Sequence, residues 1–244
     1  MFGFIIGLVM GLVFAVLGAG GGIIAVPVLL LLFSLPLRDA TGAGLAIVFA
    51  AALTSAVGHA RAKRVDWRTL VLLGPSTMLG AVLGAKLNAL VPERITAGLF
   101  ALVLLTATAS LFRKKNEQAS RAPKWALLAA GLVLGVLTGF LGVGGGFLLV
   151  PVLVGLAMLP LHRAVATSAA LIALSSLAGG VTAMVTKPEL IALVLPLAGG
   201  AVLGAVLGVP LAGKLPEKKV RVGFAVLSVT VAAGMIVKAA FPLP

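Results

Sequence analysis

Two stretches of this chain concentrate groups that can hold a negative charge without any basic side chain. Gly18, Gly20, Gly21 and Gly22 fall within five residues ahead of Pro27, and Gly142, Gly144, Gly145 and Gly146 do the same ahead of Pro151. Glycine lets a chain turn sharply and lets a ligand approach the backbone. A helix starting at such a break presents unpaired N–H groups and the positive end of its dipole, which suits an anion. Hydroxyls follow each stretch: Thr41 after the first, Thr167 and Ser168 in "ATSAAL" after the second. Each reads either as a further donor to an anion or as a group bonded back to its own helix. These eleven residues form the expected substrate site, with the backbone amides around Gly20–Gly22 and Gly144–Gly146 at its centre.

Other chemistries find little support. There is no cysteine, so disulfides, thiolate metal sites and cysteine nucleophiles are out, and two histidines, both near expected loops, leave little for a metal. The six acids, Asp39, Asp66, Glu93, Glu117, Glu189 and Glu217, all fall in loops or at segment ends. A cation pump or carboxylate proton relay usually needs an acid in mid-membrane. No catalytic residue, metal ligand or cofactor is expected. Lys86, inside an apolar piece but near its end, reads as a snorkelling side chain.

The elements that must position the glycines are membrane helices. The chain has 244 residues, 61% hydrophobic and 10% charged, with a mean hydropathy of +1.24, far from the quarter charged of soluble domains. The net charge of +13 resides mostly in short loops, which orients membrane proteins and implies no nucleic-acid partner.

The sequence is also one unit written twice. Shifted by 124 residues it aligns without a gap, and nine of the sixteen positions from Phe14 to Leu29 are identical to their counterparts. "LPL" at Leu35 recurs at Leu159, and "LGAVLG" at Leu79 recurs at Leu203. The expected organisation is a first membrane repeat over 1–112, a basic cytoplasmic linker over 113–124 and a second repeat over 125–244. The apolar pieces run over 2–17, 22–33, 41–57, 69–91 and 95–112, then 125–141, 146–159, 165–185, 190–214 and 222–240. The second piece of each half is too short for a hydrocarbon core of about 30 Å, which marks it as a half-helix or re-entrant element. If the first two pieces of each half enter and leave together, fourteen of nineteen basic residues lie on one side, which favours inverted halves. The expected fold is thus all-α and polytopic, with two inverted halves, a Gly-broken short helix in each, and eight to ten membrane segments. Short, Gly/Pro-interrupted pieces at matching positions mark the central site of inverted-repeat transporters. "LGAVLG" reads as close helix packing.

The doubled "G-x-GGG-x₄-P" element, the following "LPL" and "ATS", the basic loop ending "RVDWR" (Arg64–Arg68) and the "GAVLGAKL" helix resemble the sulfite exporter TauE/SafE family, a toluene-sulfonate uptake permease group. The match covers nearly the whole chain. The resemblance implies a multi-pass permease in the plasma (inner) membrane of a prokaryote. Its substrates would be small sulfur-containing anions such as sulfite, sulfonates or sulfoacetate. The family's Thr-Ser pair is matched by Thr167-Ser168, whereas the aligned first-half residues are Ala43 and Gly44. An anion channel, or a membrane-embedded assembly factor or enzyme acting on lipid-linked substrates, are the alternative readings. The substrate, transport direction, ion coupling and oligomeric state stay open, a homodimer being one option.

Overall fold

Apolar runs that cannot hydrogen-bond to lipid must satisfy their backbone internally, and helices do so. The computed structural model describes residues 2–18, 20–88, 90–111, 122–141, 146–212 and 214–240, and among these it holds helices and no strand. The first half forms α1 (Phe2–Leu17), α2 (Gly20–Leu32), α3 (Leu37–Arg61), α4 (Trp67–Asn88) and α5 (Glu93–Leu111). The second forms α6 (Lys124–Leu141), α7 (Gly146–Gly155), α8 (Leu161–Thr186), α9 (Ile191–Ala212) and α10 (Glu217–Ala240), with a single 3₁₀ turn, Pro188–Leu190, ahead of α9. Among the described residues four stretches are long and apolar enough to cross a membrane: Leu37–Arg61, Trp67–Asn88, Lys124–Leu141 and Pro188–Ala212. α8, bent by 40° between Leu161–Leu177 and Gly179–Thr186, makes up to five. The chain is a multi-pass membrane protein.

The duplication is visible in backbone detail. Shortly after each of the short helices α2 and α7 the chain takes a positive φ, at Ser34 (51°) and Met158 (56°). The next amide reaches back in each case, Leu35 N–H to Leu29 O at 3.2 Å and Leu159 N–H to Leu153 O at 3.0 Å. Pro36 and Pro160 then start the long helices with φ/ψ of −55/148° and −56/146°. The repeated "LPL" is this turn.

The two halves are interleaved rather than set side by side. α1 packs on α9 and α6 on α4, each first helix against the fourth helix of the other half, while α3 packs on α8. Glycine explains the first two pairings. A Cβ on Gly7 or Gly11 would collide with the carbonyls of Leu197 or Ala201, and one on Gly200 or Gly204 with those of Phe4 or Leu8. In α4 and α6, Gly80, Gly84, Gly135 and Gly139 meet Leu132, Val136, Thr77 and Ala81 in the same way. The backbones touch, which gains dispersion contacts that lipid cannot supply. "LGAVLG" is therefore a packing element, as its composition suggests. In both pairs residue numbers rise together, so the helices run parallel.

α3 and α8 run antiparallel. Lys187, just after α8, pairs with Asp39 in the first turn of α3, and Arg163 in the first turn of α8 pairs with Asp66, just before α4, at 3.4 Å.

Replacing Gly11 by Leu must push α1 off α9. Overpacking a close backbone contact predicts a loss of about 3 kcal/mol, the upper part of the usual range. Gly98 in α5 has nothing within 4 Å of its would-be Cβ. Gly98→Ala should instead gain about 0.5–1 kcal/mol from helix propensity. Thermal unfolding of both variants in detergent checks the contrast.

Candidate functional site

The first glycine element lies at the junction of the halves. Gly18 closes α1, its N–H donating to Phe14 O at 2.8 Å, and it adopts a φ of +71°. A side chain there would be strained by that φ, and its Cβ would stand 2.9 Å from Val165 Cα and 3.0 Å from Ser168 Oγ. Only glycine fits against α8 at this point. The Ser168 hydroxyl lies 3.1 Å from Gly18 O and 2.8 Å from Val165 O, so its one proton is shared between the break and its own helix.

Gly20, Gly21 and Gly22 form the first turn of α2, the position where helix N–H groups have no partner within their own helix. Gly146 is the first residue of α7. Gly142, Gly144 and Gly145 lie outside the described residues. α2 and α7 pack against each other, which brings the two glycine-initiated helices together.

The hydroxyls are engaged with backbone. Thr41 Oγ1 donates to Arg38 O at 2.7 Å. Thr167 Oγ1 donates to Arg163 O at 2.7 Å and accepts the N–H of Asp66 at 2.9 Å. Asp66 in turn caps α4, its Oδ1 accepting Thr69 N–H at 2.9 Å. Thr167, Asp66 and Arg163 thus clamp the loop before α4 onto the start of α8. Of the eleven expected site residues, Gly18 and Ser168 are in direct contact, with Thr167 beside Ser168 on α8. Thr41 stands apart on α3.

A cavity of about 490 Å³ opens between α3, α4, α6 and α8, lined by Arg38, Thr41, Lys86, Asn88 and Ser175 among small and apolar residues. Lys86 is exposed along its edge rather than turned into the helix bundle.

Sequence reasoning missed His59. The basic run after Val57 reads as loop, yet α3 continues to Arg61 and buries His59 to 1% exposure. Its Nε2 stands 3.4 Å from Ala15 O, one turn before Gly18, while Nδ1 has no partner. One turn earlier on α3, Ser55 is fully buried with its Oγ also unpartnered. The Ser55/His59 spacing of four, which puts His59 on the same helix face as a hydroxyl of the apolar piece, is the signal that could have found it.

Among the described residues no group of three or more His, Cys, Asp or Glu could hold a metal. The model of the sulfite exporter TauE/SafE family matches residues 3–235. The chain belongs to this family. The probable membrane transporter protein YunE of Bacillus subtilis (strain 168) is 26% identical, over 97% of both chains. A probable membrane transporter of Methanocaldococcus jannaschii is 28% identical over 76% of this chain and 72% of its own, and one of Haemophilus influenzae 26% over 96% and 97%. No solved structure matches the chain. Like its relatives the chain is a membrane transporter and not an enzyme.

Thr167→Val keeps shape but leaves the Asp66 N–H without its acceptor. Loss of about 1–3 kcal/mol is expected. Arg163→Gln removes an ion pair whose arginine side chain is 49% exposed, and should cost less than about 1 kcal/mol. Thermal melts of the two variants should rank in that order.

Proposed function

We propose that this TauE/SafE transporter carries small sulfur oxyanions such as sulfite, sulfonates or sulfoacetate across the plasma membrane of a prokaryote. The anion would sit between the N-termini of α2 and α7, held by the amides of Gly20–Gly22 and Gly144–Gly146. The observation that carries this reading is the contact between two short helices that both start at glycine elements. α2 has 13 residues and α7 has 10, so at 1.5 Å per residue they span about 20 Å and 15 Å. Neither crosses a 30 Å core, and helix starts at mid-depth are tolerated where they line a cavity.

In this reading α1–α2 and α6–α7 are re-entrant hairpins entering from opposite faces, which makes the halves inverted. The N–H of Ala122, just before α6, donates to Leu156 O, just after α7, at 2.9 Å, so that hairpin begins and ends together. α1 starts beside the start of α9, since Gly3 neighbours Pro196 and Leu197. α2 ends four residues before α3, whose Asp39 meets Lys187 shortly ahead of α9. Both ends of α1–α2 therefore lie with the start of α9, and both ends of α6–α7 with the start of α4. Fourteen of nineteen basic residues fall on the α6–α7 side under this arrangement, which makes that face cytoplasmic.

Backbone amides are the main donors. Ser168, already sharing its proton between two carbonyls, would turn it to the anion, and Thr167 and Thr41 would add bonds as their helices shift. Movement of one half against the other would then alternate access.

Thermal shift of the detergent-purified protein against sulfite, sulfate, thiosulfate, sulfoacetate, taurine and organic carboxylates tests the reading. An anion at a hundred times its dissociation constant should add about 2.7 kcal/mol of stability. That gain should vanish when Gly21 and Gly145 become Leu in a protein that still folds. A flat response to every anion, or full transport by the doubly substituted protein, would overturn the proposal.

A further inference from the structure

The duplication allows the two ends of one molecule to be compared. The cavity at Arg38 and Lys86 touches Gly139, three residues before the second glycine element, and extends along Gly179 and Ala183 of α8. No acidic residue lines it among the described residues. Moved by 124 residues, Gly139 corresponds to Ala15, Gly179 to Ser55 and Ala183 to His59. At the first end the wall is two hydrogens and a methyl; at the second the same positions carry a methyl, a hydroxymethyl and an imidazole.

The larger groups fill the space. His59 and Ser55 are buried to 1% and 0% exposure, with the imidazole against Ala15 O. A groove of about 380 Å³ does run along this end, lined by residues such as Thr54, Gly58 and Arg61 of α3 and Val206, Val209 and Pro210 of α9. Every described lining residue belongs to those two helices, and neither α1 nor His59 is among them. His59 Nδ1 and Ser55 Oγ remain without partners, and an unmet buried polar atom costs free energy that water or an anion would return. The filled end is thus poised to open, while its counterpart already stands open.

We propose that the cavity at Arg38 and Lys86 is the vestibule by which an anion reaches the glycine elements from one membrane face, and that His59 with Ser55 plugs the equivalent route from the other. The proposal rests on the transporter reading of those elements. Lys86 and Arg38 are basic and no described lining residue is acidic, so the mouth favours anions. A volume of about 490 Å³ accommodates a small oxyanion with part of its hydration shell. Loss of the imidazole's hold on Ala15 O would free both the second route and the last turn of α1, next to Gly18.

The absence of cysteine makes single-cysteine labelling clean. Gly179→Cys places a thiol in the vestibule, its Cβ lying 2.6 Å from Cδ1 at the flexible end of Leu45, which must swing aside. Ser55→Cys places one behind His59. Purified protein is treated with membrane-impermeant methanethiosulfonates of either charge, and adducts are timed by mass spectrometry. Gly179→Cys should react roughly tenfold faster with the anionic reagent, within the usual range of electrostatic steering, and Lys86→Gln should shrink that preference. Ser55→Cys should be inert, then become reactive when His59→Ala is added. The reciprocal change, Ala183→His, should slow labelling of Gly179→Cys; this arm does not depend on His59→Ala folding. Equal rates at the two cysteines, a preference for the cationic reagent, or unchanged labelling in both the His59→Ala and Ala183→His backgrounds would overturn the proposal. Labelling needs no transported substrate. The expected labelling pattern with a flat anion screen would therefore sink the substrate reading alone.

Discussion

Backbone contact between α1 and α9, and between α6 and α4, is the constraint on which the rest of the molecule depends. Gly11 lies against the carbonyl of Ala201 and Gly135 against that of Thr77, at positions 124 residues apart. Lipid tails are as apolar as leucine, so burial alone would not choose between these pairings and others. Close approach does, because only a glycine stripe admits a neighbouring backbone. Both pairings cross between the halves, which draws α3 and α8 together at the centre and leaves α2 and α7 facing each other.

The site inherits this interleaving. Gly18 belongs to the first half, yet the wall that forbids it a side chain is Val165 and Ser168 of the second. The clamp of Thr167, Asp66 and Arg163 likewise ties a loop of one half to a helix of the other. Its partner at the opposite end, Asp39 with Lys187, has the charges reversed: there the acid starts α3 and the base follows α8, while here the base starts α8 and the acid follows α3. Each end of the α3–α8 pair is therefore latched, and relative movement of the halves must strain or release one latch.

Much of this was legible in the sequence, unevenly and for physical reasons. The first glycine element marked the break after α1 and "LGAVLG" the packing face, because each depends on backbone conformation or on side-chain size, whereas "LPL" showed only as a repeat until its turn was seen. Segment limits were less legible where helices run past the apolar zone. α3 continues through His59 to Arg61, and α8 starts at Leu161 among His162 and Arg163, since polar residues tolerate helix ends at a membrane surface. The roles of Thr41, Thr167 and Ser168 could not be read, because a hydroxyl's partner depends on what lies opposite. The period of the repeat also says nothing of which helix meets which. That α1 seeks α9 rather than α4 emerges only in three dimensions.

The exchange of partners has a consequence for ancestry. Within one half, α1 and α4 each carry a glycine face whose partner is encoded in the other half. An isolated half would leave both stripes against lipid, with nothing to draw its short helix into place. A precursor gene encoding one half could therefore have worked only as a pair of identical chains. In a single chain the two copies are free to differ, as His59 and its counterpart Ala183 do.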